Sequence, residues 1–288
     1  MSIPATVVIP NLDCPLVDRA VEAVRAQTPA LEILVVGRDR PGRLAGAEGV
    51  RMVATETALS PAAARNRGVE EARGQALLFT DADCRPQPGW AEALLATLER
   101  APVAGGAVRF DLGGNRWAVA DNIASFHEFL ADRPREDRTR GPLGTLNLAA
   151  TREAWRRTGP FDEALPTSED HDWVLRARQA GLATAFTPDA VVEHAAVRST
   201  RGELERHAAW YGRHFHAFLA RHPGSFARGP TWASRGRLAA TAPVKALLSA
   251  VGIFRRHPGL LPAWRSLPGV VRFKWAWYRA VLAAWPDA

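Results

Sequence analysis

"LLFTDADCRPQPGW", residues 77–90, decides the architecture. With Ala76 in front, Leu77, Leu78 and Phe79 make an apolar run that stops on Asp81 and Asp83, with Pro86 and Pro88 just behind. A short apolar run bounded by turn residues reads as a strand covered on both faces, the habit of parallel sheets. Carboxylates just past the carboxyl end of such a strand lie where open α/β sheets hold their ligands. Residues i and i+2 of an extended stretch face the same way, so both carboxylates are expected to enter one cleft. Two anions that close repel each other, and something positive must compensate them. Hard divalent cations such as Mg²⁺ or Mn²⁺ take oxygen ligands and complete their shell with water or phosphate oxygens, so a diphosphate beside the pair would complete a site.

The flanking sequence supplies the rest of an α/β sheet. "ATVVIP" (5–10) and "LEILVVG" (31–37) are β-branched runs, and between them Val17, Ala20, Val21 and Val24 recur at helical spacing, giving strand, helix, strand. "SPAAARNRGVEEARG" (60–74) reads as a helix capped by Ser60, with Pro61 in its first turn and Gly74 beyond its end. Trp90, Leu94 and Leu98 mark a further helix, and "VAGGAVRF" (103–110) a strand. "EDHDWVLRARQAG" (169–181) has helical spacing, and "LATAFTPDAVVEH" (182–194) reads as a last pair of strands. Residues 112–142 are mixed and give no assignment. No repeat or low-complexity tract is present.

The 288 residues, 47% hydrophobic, can bury a substantial core, which excludes a disordered chain and suits one large domain or a domain with an appendage. Cys14 and Cys84 form neither a disulfide framework nor a zinc knuckle, and a reducing compartment is expected. "MSIPATVVIP" lacks a charged start and a long apolar stretch, so no signal peptide is expected. Charge is divided unevenly. Residues 1–194 hold 22 basic against 27 acidic side chains, and residues 195–288 hold 15 against 3. Such a basic tail suits nucleic acid or an anionic membrane surface. The end "GVVRFKWAWYRAVLAAW", with Trp275, Trp277 and Trp285 among Arg272, Lys274 and Arg279, favours an interfacial helix in lipid headgroups, and nucleic acid is not expected. A soluble helical subdomain with the tryptophans as core is the alternative. The longest apolar run, 246–254, is about half of the ~20 residues a spanning helix needs, so no transmembrane helix is expected.

The ordered set "TVVIPNLD", "RAQTPALEILVVG", "AAARNRGVEEARG", "LLFTDADCRPQPGW", "GTLNLAATREAWRRTGPFDEAL" with "SEDHDWVLRARQAG", and "FTPDAVVEH" resembles the family 2 glycosyltransferases over residues 5–216. The resemblance implies a GT-A fold, a Rossmann-like mixed sheet flanked by helices, as a catalytic domain over 1–216, leaving 217–288 as a basic helical extension. It implies transfer of a sugar from a nucleotide diphosphate donor to an acceptor hydroxyl with inversion, dependent on Mn²⁺ or Mg²⁺. Asp81 and Asp83 match the family's D-x-D motif, the first towards the donor and the second on the metal. His194 matches a histidine that joins the metal in some relatives; a histidine at a strand end is otherwise an ordinary surface residue. Asp170, in "SED", matches the aspartate that takes the acceptor proton; Thr167 to Asp170 also fits a capping box, which needs no chemistry. On the donor side the resemblance places Pro10, Asn11, Asp39, Arg65, Asn66, Asn147 and Glu169 with Asp81. A solvated helix face for Arg65 and a turn for Asn147 are the plainer readings.

One departure stands out. Relatives carry an acidic pair after the second strand that contacts the nucleobase, whereas this chain has "VVGRDR" (35–40), with Gly37 and Arg38 in those places and Asp39 alone nearby. UDP-sugars remain the favoured donors, with the base open. The acceptor can be a glycan, a lipid-linked sugar or another hydroxyl compound, and a cytoplasmic enzyme on the inner face of the membrane, in envelope or exopolysaccharide synthesis, is expected. Two other readings compete: a degenerate scaffold that docks on a membrane, and a sugar nucleotidyltransferase, which lacks support because "IPNLDCPL" has no glycine-rich phosphate loop.

Overall fold

The structure, a computed structural model, describes residues 4–224 and 229–286, without the side chains of residues 135 and 136. Residues 1–3 of the amino-terminal stretch, and 225–228 and 287–288 of the tail, lie outside the description. The chain divides into two compact units, residues 1–109 with 128–195 and residues 110–127 with 196–288. This differs from the expected boundary at 216. The units part where the composition turns basic, near residue 195, and the second unit also takes in a helix from the stretch that gave no assignment.

The first unit is a mixed sheet covered by helices. In chain order it contains β1 (Ala5–Leu12), α1 (Val17–Arg25), β2 (Glu32–Arg38), β3 (Val50–Ala54), α2 (Pro61–Glu71), β4 (Ala76–Thr80), β5 (Cys84–Pro86), α3 (Trp90–Leu98) and β6 (Val103–Arg109). After α4 (Arg116–Phe126), which belongs to the second unit, come β7 (Asn147–Thr151), α5 (Arg152–Thr158), α6 (Glu169–Gln179) and β8 (Thr184–His194). The strand order is β3-β2-β1-β4-β7-β6-β8-β5. The first four strands are parallel, and β7 runs antiparallel to both β4 and β6. β4 is therefore interior, and Ala76 to Thr80 are all buried, as a strand covered on both faces requires. Each fully buried Val, Leu or Phe there contributes about 1.5–3 kcal/mol. The α1 periodicity lands on the core, with Val17, Ala20, Val21 and Val24 buried. Ser60 caps α2 by accepting from the Ala63 amide, with Pro61 in the first turn.

Two expectations about this unit are corrected. Asp81 to Cys84 is a tight turn closed by the Cys84 amide on the Asp81 carbonyl at 3.0 Å, so the turn, and not strand pleating, gathers the two carboxylates. Residues 182–194 give one strand where a pair was expected. β8 stays beside β6 throughout, but its register jumps from Thr187 to Val191 while β6 advances only from Gly106 to Ala107. Pro188, which cannot donate to a ladder, sits in that bulge.

The second unit is helical: α4, α7 (Arg201–Arg221), α8 (Arg235–Arg256) and α9 (Leu267–Ala283), with 3₁₀ segments Pro230–Ala233 and Pro258–Ser266. α4 escaped the sequence reading because Ala118 to Ala124 are all buried, so it has no polar face to give a period. Its buried Asp121 is satisfied by His207 Nδ1 at 2.8 Å and Arg198 at 3.2 Å. α7 opens on a capping box formed by Thr200 and Glu203. Two of the three tryptophans assigned to lipid, both half-buried, pack on this unit's own aromatic cluster: Trp277 meets Phe215 edge-on at 4.8 Å, and Trp285 stacks on Trp232 at 6.5 Å. Aromatic packing accounts for Trp277 and Trp285, as the alternative weighed above has it. α8, at 22 residues and mean hydropathy 1.3 over its best window, is long and apolar enough to cross a membrane by length and composition. The apolar run 246–254 understated it, because Leu238 to Val244 continue the helix through Pro243.

Candidate active site

The site lies along the carboxyl edge of β4 in the first unit and begins with a buried cation. α2 carries Arg65, whose side chain is 3% exposed, to the end of β4. There it donates to Asp81 at 2.6 Å and to Glu169, the first residue of α6, at 2.8 Å. Burial alone would depress Arg65, but the charges of Asp81 and Glu169 outweigh it and hold the guanidinium above its ordinary value. One guanidinium does not suffice for the acids around it. Burial, reinforced by the charge of Asp83, raises Asp81 despite Arg65. Burial, reinforced by Asp170, pushes Glu169 up to about 7. Asp81, Asp83, Glu169 and Asp170 together thus carry more negative charge than Arg65 can balance.

α6 delivers Asp170 without a cap. Ser168 precedes the helix with φ of 63° and makes no side-chain capping bond, a left-handed conformation that costs a non-glycine residue about 1–2 kcal/mol. The Asp170 carboxylate instead accepts from the Thr145 amide at 3.2 Å and from the His171 amide at 2.8 Å. The capping-box reading of Thr167 to Asp170 therefore fails, and the strained turn aims Asp170 at the segment leading into β7.

Asp83 is held by a second arrangement. Its carbonyl accepts from the Ala195 amide at 3.0 Å, and β5 pairs with β8 so that Cys84 lies opposite His194. The Asp83 carboxylate is then 3.6 Å from His194 Nε2. Ligand atoms of Asp83, Cys84 and His194 all lie within 4.8 Å of one another. Burial, with Asp83 beside it, drives the Cys84 thiol well up; it stays protonated and ligates poorly. A carboxylate oxygen and an imidazole nitrogen remain, a donor pair that fits Mn²⁺ or Mg²⁺ completed by water or phosphate.

Other expected donor residues are mostly engaged within the protein, and for Asn147 the sequence expectation is corrected. Asn147 donates to the carbonyls of Ala107 and Ala190 and accepts from Trp90 Nε1, all at 2.8–2.9 Å. It satisfies the carbonyls that the β8 bulge leaves without ladder partners, so its amide is not open to a sugar. Gly106 makes room for it: a Cβ there would lie 2.4 Å from the Asn147 amide nitrogen. Asn66 clamps Phe161 through both its amide and carbonyl groups and donates to Glu163 at 2.8 Å. Asp39 caps its own loop, accepting from the Arg43 and Leu44 amides. Asn11 ties β1 to β2 by donating to the Arg38 carbonyl at 2.7 Å, and Pro10, half-buried, sits before it on the same edge.

The missing acidic pair has a steric reason. Gly37 has φ of 129°, and a Cβ there would lie 2.1 Å from the Asn11 carbonyl oxygen, so no side chain fits. The acid at this edge is Asp13, which accepts from Arg38 at 3.1 Å and from the Arg40 amide at 2.8 Å. The sequence reading missed it; its signal is an aspartate directly after a strand with Pro15 two places on, at a positive φ of 57°.

The family model described as glycosyl transferase family 2 matches residues 6–163, more than half of the chain. Glycosyltransferase AglE of Haloferax volcanii is 32% identical over 136 residues, 46% of this chain and 44% of that protein. The pre-mycofactocin glycosyltransferase of Mycobacterium tuberculosis is 31% identical over 169 residues, 57% of this chain and 36% of that protein. The chain thus spans less than half the length of either. Among solved structures, the mannosyltransferase PcManGT from Pyrobaculum calidifontis in complex with GDP-Man and Mn²⁺ aligns with TM-score 0.59 at 18% identity, covering 95% of this chain and 86% of its own. GalNAc-T7 with UDP, GalNAc and Mn²⁺ aligns with TM-score 0.51 at 18% identity, covering 79% and 52%. What these structures share with the chain is the fold, the GT-A arrangement expected from the sequence. The protein belongs to glycosyl transferase family 2.

Proposed function

We propose that the chain is a metal-dependent inverting glycosyltransferase that moves a sugar from a nucleoside diphosphate donor to an acceptor hydroxyl. The observation that carries this reading is the surplus of negative charge that Asp81, Asp83, Glu169 and Asp170 leave over the buried Arg65. A site of four carboxylates with one guanidinium is stable when a cation enters it, and the chemistry of the Asp83 and His194 donors suits a hard divalent ion. That ion, held by Asp83 and His194 with the donor diphosphate, would neutralise charge developing on the leaving phosphate. Mn²⁺ and Mg²⁺ are the ions to test, since both structural neighbours are described with Mn²⁺.

Asp170 takes the proton from the acceptor hydroxyl as that oxygen forms its bond to the anomeric carbon. The bond from that carbon to the diphosphate oxygen breaks with its electron pair on the phosphate. The Thr145 amide holds Asp170 for this task, and a positioned base of this kind is worth about 10²–10⁴-fold. Arg65 locks Asp81 and Glu169 in place, so that Asp81 faces the donor. UDP-sugars are the first donors to test, with GDP-sugars beside them because Gly37 removes the usual acid at the base and one neighbour is described with GDP-Man. We place the acceptor among glycans and lipid-linked sugars of envelope or exopolysaccharide synthesis, with the protein cytoplasmic and bound to an anionic membrane surface through its basic second unit.

The test is a panel of UDP- and GDP-sugars with Mn²⁺, Mg²⁺ or chelator, read as donor hydrolysis and as donor binding. Metal-dependent binding of at least one donor supports the reading; no binding of any donor with either ion removes it.

A further inference from the structure

The second unit keeps an apolar helix face in solvent. Among the described residues, seven large hydrophobic side chains are exposed, and five lie on α8 and the 3₁₀ segment that follows it: Val244 at 59%, Leu247 at 49%, Leu248 at 64%, Leu261 at 56% and Trp264 at 62%. On α8 the two faces are cleanly divided. Leu238, Ala242, Ala246 and Ala250 are buried to within 1% of complete cover. Ala240, Val244, Leu247, Leu248 and Val251 recur at helical spacing on the opposite side, within an arc of about 100°. The stripe holds no charge along its length, and Arg237 and Arg255 stand on nearly the same side of the helix at its two ends.

We propose that this face of α8, with Leu261 and Trp264, docks in the plane of an anionic lipid bilayer. Residues 206–286 contain thirteen arginines and lysines and not one aspartate or glutamate. A long apolar stripe bracketed by arginines, with no acid in this whole segment, complements a surface that offers acyl chains and negative headgroups together. Trp264, with the Arg265 guanidinium 5.9 Å from its ring, is the kind of residue that settles at headgroup level. A polyanion alone would engage the arginines and leave the leucines in water. Spanning is disfavoured by the other side of the helix, since Leu238, Ala242, Ala246 and Ala250 already pack within the unit and only one stripe is open. The inference rests on the membrane-surface reading above for the class of partner and moves the contact from the α9 tryptophans to α8.

The experiment is sedimentation of the full chain with vesicles of phosphatidylcholine alone or mixed equally with phosphatidylglycerol. The wild type is expected to pellet with the mixed vesicles and to stay in solution with the neutral ones. The exposed-face variant Leu247→Asp/Leu248→Asp, and separately Arg255→Glu/Arg256→Glu, should each weaken that binding by about tenfold or more. Donor hydrolysis without vesicles should stay at the wild-type level in both variants, which reports the catalytic reading separately. Equal recovery of wild type with both vesicle types overturns the proposal. So does undiminished binding of the Leu247→Asp/Leu248→Asp variant, which would leave only charge attraction, and so does extraction of the wild type only by detergent and never by high salt or alkaline carbonate, which would mark a spanning helix.

Discussion

The two units treat charge in opposite ways. In the first, Asp81 and Glu169 pair with one buried guanidinium while Asp83 and Asp170 add their charge beside them, and the excess is left unbalanced in a partly exposed site. In the second, Asp121, the one buried acid among the described residues, is matched locally by Arg198 and His207, and the arginines and lysines are mostly exposed or half-buried. A partly buried surplus raises the cost of every additional like charge and so favours a counter-ion. An exposed surplus is solvated and acquires meaning only beside an apolar face, which α8 supplies.

The sharpest way to break this comparison is to remove the acid placed on the metal. Asp83→Ala should lower transfer by more than about 10³-fold and abolish metal-dependent donor binding; an active variant would mean that the surplus does not serve a cation. Asp170→Asn should lower kcat by about 10²–10³-fold while donor affinity is kept, and parallel losses in both would return Asp170 to a structural part. Next in size is a change that leaves the charges alone. Asn147→Ala strips partners from Trp90 Nε1 and from two buried carbonyls, and should cost about 3–4 kcal/mol of stability by denaturant unfolding. A loss below about 1 kcal/mol with a specific rise in donor KM would instead restore Asn147 to the sugar pocket.

A pH series sharpens the electrostatic side. Glu169 is pushed from its ordinary 4.5 to about 7, so the folded protein binds that proton more tightly than the unfolded chain does. This contribution is complete below pH ~4.5 and is lost as pH rises through about 7, at most about 3 kcal/mol in chelator. Glu169→Gln, permanently neutral, should flatten that part of the stability profile; an unchanged slope would show that Glu169 is ionised throughout. The smallest effect belongs to the second unit: Leu248→Ser on the open face of α8 should change stability by less than about 0.5 kcal/mol.

Much of the first unit was legible because its signals are local. The apolar run before Asp81, the Ser60 cap and the helical spacing of Val17 to Val24 each state one element and one face. The convergence of Arg65 with Glu169 was not legible, since it joins residues 104 apart through packing alone. The family likeness pointed to Asn147 and Asn66, but hydrogen-bond capacity decides their roles, and only the folded chain shows both amides engaged, with backbone groups and with the side chains of Trp90 and Glu163. Gly37 looked like a lost acid and is instead a forced glycine. In the second unit α4 hid because it is covered all round, and Trp277 of α9 looked interfacial because sequence cannot tell an aromatic side chain that meets lipid from one that meets Phe215 and Trp232.

The measurement that bears most directly on the central claim is a Mn²⁺ titration followed by electron paramagnetic resonance, with and without UDP or GDP, on the wild type and Asp83→Ala. The account predicts one bound ion in the wild type, held more tightly when the nucleotide is present, and no such ion in the variant. Equal binding in both proteins, or none in the wild type with either nucleotide, would contradict it.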